Sequence, residues 1–507
     1  MNGTRVKNTS RNIVSGIALK ISSFLFPFIV NTIIIKTLGV EYLGLNSLFA
    51  SIFQVLSLTE LGFGTAMVFS MYEPVARNDY AKLSALLSMY KKVYLIIGLV
   101  ILCGGLLCIP ILPFVIEGDA PDSVNIYILF LVCLSNTVIS YFLFAYRTAI
   151  FMANQRKDIV DKINIFIEIS LNISKILILL ITKNYYLFCA LQPFYTVINS
   201  LLTLFISKKI YPEYNCYGDV SKEEKKSIFS RVFGLSIHKI CNVISNSFDS
   251  VIISSFLGLT ILGQYYNYFV IGNAIMLFMD NVTASATSSI GNSMVCESVE
   301  KNYEDFKTLQ FGYNIILGWA SVCMLCLIQP FIKIWLGEEL LFDDSVAITI
   351  SIYVYSIVSS SVFVAYRSAA GIWARDKIRP FVEAGINLIL NIILVRSIGV
   401  CGVMVSTILT MGIMRTIWGS YYLFDEYFKE YSHIKYLVTM FICFMIVMVS
   451  GIITFCICNL INLDGIGELI ARLGVCIIIP GLIYFVCFFR TVAFKRCIGL
   501  VKSIVKH

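Results

Sequence analysis

Long apolar runs alternate with short polar interruptions along almost the whole chain. A helix crosses a bilayer core with about 20 apolar residues, and by that rule the chain folds into about fourteen spans. They fall near residues 12–36, 42–73, 82–113, 124–150, 160–182, 185–206, 229–256, 262–295, 308–334, 345–372, 380–397, 399–424, 436–461 and 468–489. The second and eighth are longer than a bilayer requires, so they tilt or protrude into water. The sizeable internal polar stretch runs from Lys208 to Arg231 and contains Lys222-Glu-Glu-Lys-Lys226. It divides the chain into an N-terminal six-helix bundle (1–206), a cytoplasmic linker (207–230), a C-terminal six-helix bundle (231–425), and two extra helices with a basic tail (426–507).

Composition fits an all-α polytopic membrane protein. Of 507 residues, 58% are hydrophobic and only 14% charged, with a mean hydropathy of +0.83. Soluble domains carry roughly 25% charged residues. The first apolar run follows Arg5, Lys7 and Arg11 and has no small-residue cleavage site, so it reads as a retained helix, not a removed signal peptide. The formal charge of +8 becomes informative once located, because cytoplasmic loops collect lysine and arginine. With the N-terminus inside, Arg77, Lys82, Lys91, Lys92, Arg156, Lys157, Lys208, Lys209, Arg375, Lys377, Arg379, Lys495 and Arg496 are cytoplasmic. The outer loops are acidic: Glu117, Asp122, Glu338, Glu339, Asp343 and Asp344. Both termini are then cytoplasmic. These loop charges suit a membrane protein, and no nucleic-acid partner is expected.

The halves repeat. Leu38-Gly39-x-x-x-Leu43-Gly44 recurs as Leu257-Gly258-x-x-x-Leu262-Gly263, and Ala145-Tyr-Arg147-Thr-Ala149 as Ala365-Tyr-Arg367-Ser-Ala369. Lys157 and Lys377, Pro113-Phe114 and Pro330-Phe331, and Glu168/Asn172 and Asn387/Asn391 keep nearly the same offset. Six spans per repeat insert both halves in one direction. They should be related by a pseudo-two-fold axis along the membrane normal, with a binding cavity between them, as in alternating-access transporters.

The opening of the chain carries more specific motifs: Arg11-Asn12, Leu38-Gly-Val-Glu-Tyr-Leu-Gly44, Leu58-Thr-Glu60-Leu-Gly-Phe-Gly64-Thr-Ala66 and Tyr72-Glu-Pro74. With the six-plus-six-plus-two plan, these resemble the polysaccharide, Wzx-like flippases of the multidrug/oligosaccharidyl-lipid/polysaccharide exporter (MOP) superfamily. The resemblance implies a MATE-like fold in a bacterial cytoplasmic membrane. It also implies a substrate of undecaprenyl-diphosphate-linked oligosaccharide, turned from the inner to the outer leaflet for capsule, O-antigen or exopolysaccharide synthesis. A polysaccharide polymerase would be the natural partner, beside membrane lipids.

Ionisable residues inside a membrane are costly unless they face a cavity or a partner, so each is a candidate site. Lys20 and Lys239 are related by the repeat and would offset a lipid diphosphate; alternatively, both snorkel to the cytoplasmic interface. Arg147 and Arg367 form a second symmetric pair, able to grip a phosphate through two parallel hydrogen bonds or to anchor helix ends at headgroups. Arg415 has no counterpart. Lys175 follows Glu168 on one helix. Glu60, Asp249 and Asp280 are candidates for H⁺ or Na⁺ coupling, since a buried carboxylate takes up a proton or holds a cation; the plainer role is an ion pair with a cation such as Lys20. Pro27 removes a backbone hydrogen bond in the first span, which makes a gate or a packing kink.

The remaining chemistry is sparse. Sixteen cysteines scatter through apolar runs, and Cys323-Met-Leu-Cys326 has neither a second pair nor a histidine near it in sequence. They read as small packing residues, with no metal or cofactor expected. No phosphate-cradling glycine loop or hydrolase motif is present, and the short outer loops disfavour a membrane enzyme. The rival function on the same fold is an ion-coupled drug or metabolite antiporter.

Overall fold

The computed structural model describes residues 2–60, 62–116, 121, 123–372, 376 and 378–505, and among them every regular element is helical. Among the described residues ten helices are long and apolar enough to cross a membrane, or eleven when the bent pair Ile126–Phe142 and Ala145–Ala153 is one span. Two of these run 54 and 48 residues, Val243–Cys296 and Arg379–Glu426. That is more than twice what one crossing needs. Each leaves helical backbone once, at Gly258 (φ 88°, ψ 169°) and at Ile398–Gly399 (Gly399 φ 58°, ψ −137°). Divided there, and with the interrupted crossing Val40–Arg77 added, the helices are consistent with fourteen spans.

Most of these helices bury little of themselves, as lipid-facing helices should, whereas Val299–Leu336 and Asp344–Ala369 are half or more buried. On Lys157–Thr182, Ile163, Ile167 and Leu171 are buried while Phe166, Ile173, Leu177 and Leu180 stand exposed. Water would not tolerate that second stripe repeated on helix after helix.

The chain forms two compact units, residues 1–263 and 264–507. Within the first, the glycine repeat has a physical explanation. Gly39 (φ 125°, ψ 165°) and Gly258 adopt nearly the same backbone conformation, in a region that side chains rarely enter. The second glycines of the two motifs then pack main chain to main chain. A Cβ on Gly44 would strike the Leu259 carbonyl and lie 3.2 Å from the Gly263 nitrogen; one on Gly263 would strike the Val40 carbonyl and lie 3.1 Å from the Gly44 nitrogen.

Two boundaries differ from expectation. The polar stretch after Ile210 is non-helical only over 211–221, because Lys222 already begins the next helix. The second crossing is not one long tilted helix. Val40–Leu56 ends in a 3-10 turn, Ser57–Glu60, and the helix restarts at Phe63 after Gly62 in the left-handed region (φ 75°). Pro27, by contrast, lies within a helix that runs unbroken from Asn2 to Thr37.

Candidate functional site

The break in the second crossing presents Glu60. Broken helices at membrane depth persist only where their backbone is buried in protein or lines a cavity. Here the carboxylate is ringed by phenols: Tyr141 donates to Oε2 at 2.7 Å, Tyr94 donates to Oε1, and Tyr90 donates to the Tyr94 hydroxyl at 2.8 Å. Gly64 leaves room for the ring, since a Cβ there would come within 2.8 Å of the Tyr90 hydroxyl. Among the described residues the partners of Glu60 are thus hydroxyls, not a cation. Tyr90 and Tyr94, one turn apart on Tyr80–Cys108, share a helix face. That spacing was the available signal for them in the sequence.

The other two acidic candidates lie elsewhere. Asp249 is buried on the helix that follows the 211–221 coil. Asp280 is exposed and accepts a 3.4 Å hydrogen bond from Ser361.

Among the basic candidates, Lys20 is exposed on the first helix, while the side chain of Lys239 lies outside the described residues. Arg147 and Arg367 are both buried, which does not suit headgroup anchors. Each follows a break in its crossing: after Phe142 in one, after Val358 in the other. Their surroundings then diverge. Arg147 donates to Ser207 Oγ at 3.2 Å, its Nε is buried without a partner, and no carboxylate pairs with it among the described residues.

Arg367 instead enters a buried ionic chain. It pairs with Asp376, which also accepts from Arg379 Nε and Nη2 at 2.8 and 2.7 Å. Arg379 continues to Glu383, and Glu383 accepts from Arg415 at 3.3 Å. Among the described residues this chain joins three guanidiniums and two carboxylates. Asp376 and Glu383 were not among the expected site residues; the Arg379–Glu383 spacing of one helical turn was the signal. Lys175 and Glu168 have separate partners. Lys175 donates to Gln192 Oε1 at 2.7 Å on the next helix, while Glu168 accepts from Ser23 at 3.0 Å.

The Arg11-Asn12 motif has a local explanation. Asn12 accepts from the Asp158 backbone nitrogen at 2.8 Å and donates to the Gln155 carbonyl at 3.2 Å. It thereby fastens the start of the first helix to the turn before Lys157–Thr182, where Gln155 itself adopts a left-handed φ of 59°.

A family model described as polysaccharide biosynthesis protein matches residues 9–288. No curated protein sequence matches the chain. Among solved structures, the lipid II flippase MurJ in an inward closed conformation aligns with TM-score 0.61 at 18% identity, covering 94% of this chain and 99% of that one. An inward-facing multidrug resistance MATE transporter of the MOP superfamily aligns with TM-score 0.58 at 15% identity, over 80% and 97%. The Vibrio cholerae MATE transporter VcmN aligns with TM-score 0.56 at 14% identity, over 85% and 99%.

Proposed function

We propose that this chain, which belongs to the polysaccharide biosynthesis protein family, is a flippase that carries a lipid-linked oligosaccharide across the membrane by alternating access. The substrate class is an oligosaccharide on undecaprenyl diphosphate, moved from the inner to the outer leaflet of a bacterial cytoplasmic membrane. The observation that carries this reading is the buried guanidinium of Arg147, with its orphaned Nε and, among the described residues, no carboxylate paired with it. A buried cation without a counter-ion is expensive, and a diphosphate supplies the missing charge. Lys20 and Lys239 serve as further contacts during passage. Arg367 and Arg415 join only when their ionic chain opens, and Pro27 acts as a gate in the first helix. No step of this process forms or breaks a covalent bond, so the protein works as a transporter and not as an enzyme.

Transport is coupled to H⁺ or Na⁺ at Glu60, Asp249 or Asp280, because an ion biases the cycle only by binding one state better than the other. A polysaccharide polymerase receives the product on the far side.

The test is complementation of a flippase-null strain together with leaflet accessibility of the labelled lipid. Lys20→Ala, Lys239→Ala and Arg147→Ala should each cut export at unchanged protein level, and Lys20→Arg should retain more than Lys20→Ala. Full export from all three alanine variants would refute the role of these cations. The aromatic ring around Glu60 supports one second reading, an ion-coupled antiporter of organic cations. Drug extrusion by the protein, with no effect on lipid-linked sugar, would establish that reading instead.

A further inference from the structure

Helices Val299–Leu336, His433–Cys458 and Ile466–Phe488 bring three cysteines together. The sulfurs of Cys326, Cys458 and Cys476 lie within 4.8 Å of one another, and all three residues are fully buried. Cys323, one turn before Cys326, is within hydrogen-bond reach of Cys476. The CxxC that lacked a partner along the chain thus meets two cysteines from the last two spans.

The surroundings hold the cluster in place and favour negative charge. Trp319 Nε1 donates to the Cys476 carbonyl at 2.9 Å, and Arg472 Nη1 to the Cys326 carbonyl at 3.3 Å. Arg472 pairs with Glu468 at 2.8 Å, yet its Nε is buried with no partner. A largely buried arginine favours a nearby anion, and Glu468 occupies only part of its donor fork.

We propose that Cys326, Cys458 and Cys476 form a binding site for a thiophilic d10 cation, Zn(II) or Cu(I). Metal–sulfur bonds of about 2.3 Å place tetrahedral sulfurs about 3.8 Å apart, within the spread observed here. The donor set contains sulfur alone, which selects soft cations over Mg(II) or Ca(II). Each ligating thiol gives up its proton to solvent as the cation binds. Three thiolates around Zn(II) leave one negative charge, which the Arg472 guanidinium, shared with Glu468, offsets in part. The ion would staple the two helices beyond the duplication to the helix Val299–Leu336.

The experiment uses the full-length protein in detergent, purified with reductant. Titration with Cd(II) should produce ultraviolet thiolate-to-metal charge-transfer absorption that saturates at a single equivalent. Elemental analysis after Zn(II) loading and desalting should return the same stoichiometry. Cys326→Ser and Cys458→Ser should reduce both signals to background, whereas Cys103→Ser and Cys487→Ser, which alter exposed thiols, should leave them unchanged. The Cd(II) titration of the parent protein needs no variant, so a misfolded mutant does not shield the proposal. Absence of charge transfer in the reduced parent overturns it. So does mass spectrometric detection of a disulfide among these cysteines as the stable form in freshly isolated protein, or a signal lost on removing the exposed thiols instead.

Discussion

Asp376→Asn gives the most direct test of the energetics. The Asp376 carboxylate accepts from Arg379 at 2.7–3.0 Å and pairs with Arg367, and these three side chains are between 0 and 3% exposed. The amide keeps the shape but withdraws the charge that two buried guanidiniums share. Breaking a buried ion pair from one side costs about 3–5 kcal/mol, because the stranded charge stays out of water. The control is Glu73→Gln. Its pair with Arg77 has a similar length, 2.9 Å, but the side chains are 63% and 75% exposed, and such pairs contribute roughly 0–1 kcal/mol. Thermal unfolding in detergent, followed by size-exclusion with fluorescence detection, should show Asp376→Asn lowered on the order of 10 °C. Glu73→Gln should barely move. Adding Arg367→Gln to Asp376→Asn removes one stranded charge and should restore part of the loss. Equal midpoints for Asp376→Asn and Glu73→Gln would refute the view that burial, not distance, sets the strength of this chain.

Three further outcomes are expected. Gly263→Ala forces a methyl into the Val40 carbonyl and should destabilise by roughly 1–3 kcal/mol as overpacking does, read as a lower midpoint with reduced yield. In reconstituted vesicles Glu60→Gln should keep substrate binding but lose its response to an imposed proton or sodium gradient; Tyr141→Phe, which deletes one donor to the carboxylate, should weaken that response. The Lys82 ammonium, 2.8 Å away, holds the Glu224 carboxyl below the usual carboxylate range. Its contribution is therefore present above the ordinary carboxylate pKa and is lost as pH falls through the lower folded value. Limited proteolysis in the 211–221 coil should accelerate over that acidic window in the parent protein and lose this pH dependence in Glu224→Gln.

Much of this was legible because lipid imposes a simple pattern. Apolar run length marked an all-helical chain of many apolar helices, and the MOP superfamily resemblance of the opening motifs is matched at the level of fold. The glycine repeat could be read because a main-chain contact tolerates only one residue type at Gly44 and Gly263. Side-chain partnerships were less visible. Arg367 and Arg415 stood out as charges in apolar sequence, but Asp376 sat in a segment that read only as basic, between Arg375 and Lys377. The phenols around Glu60 come from two other crossings, and tyrosine in a membrane helix raises no alarm because it costs little to bury. The break at Ser57–Gly62 was hidden for a similar reason, since Leu58, Leu61 and Phe63 sustain the apolar pattern through it. Cys458 and Cys476 reach Cys326 only through the packing of separate helices, which no local spacing encodes.

The contact between the two glycine motifs is reciprocal: Gly44 is closed off by the main chain around Gly263, and Gly263 by the main chain around Gly44. Reciprocity of this kind is the signature of an isologous interface, in which one surface meets a copy of itself. A single-length ancestor carrying one Leu-Gly-x-x-x-Leu-Gly motif would have had a self-complementary face before any duplication, and would have worked as a homodimer. Fusion of two such copies would release them from identity wherever packing permits, but not at this seam. Arg147 and Arg367 could acquire different neighbours, and Glu168 could diverge from Asn387, while neither glycine could change alone or be rescued by changing the other. The seam is thus a place where the chain still obeys the symmetry of a dimer.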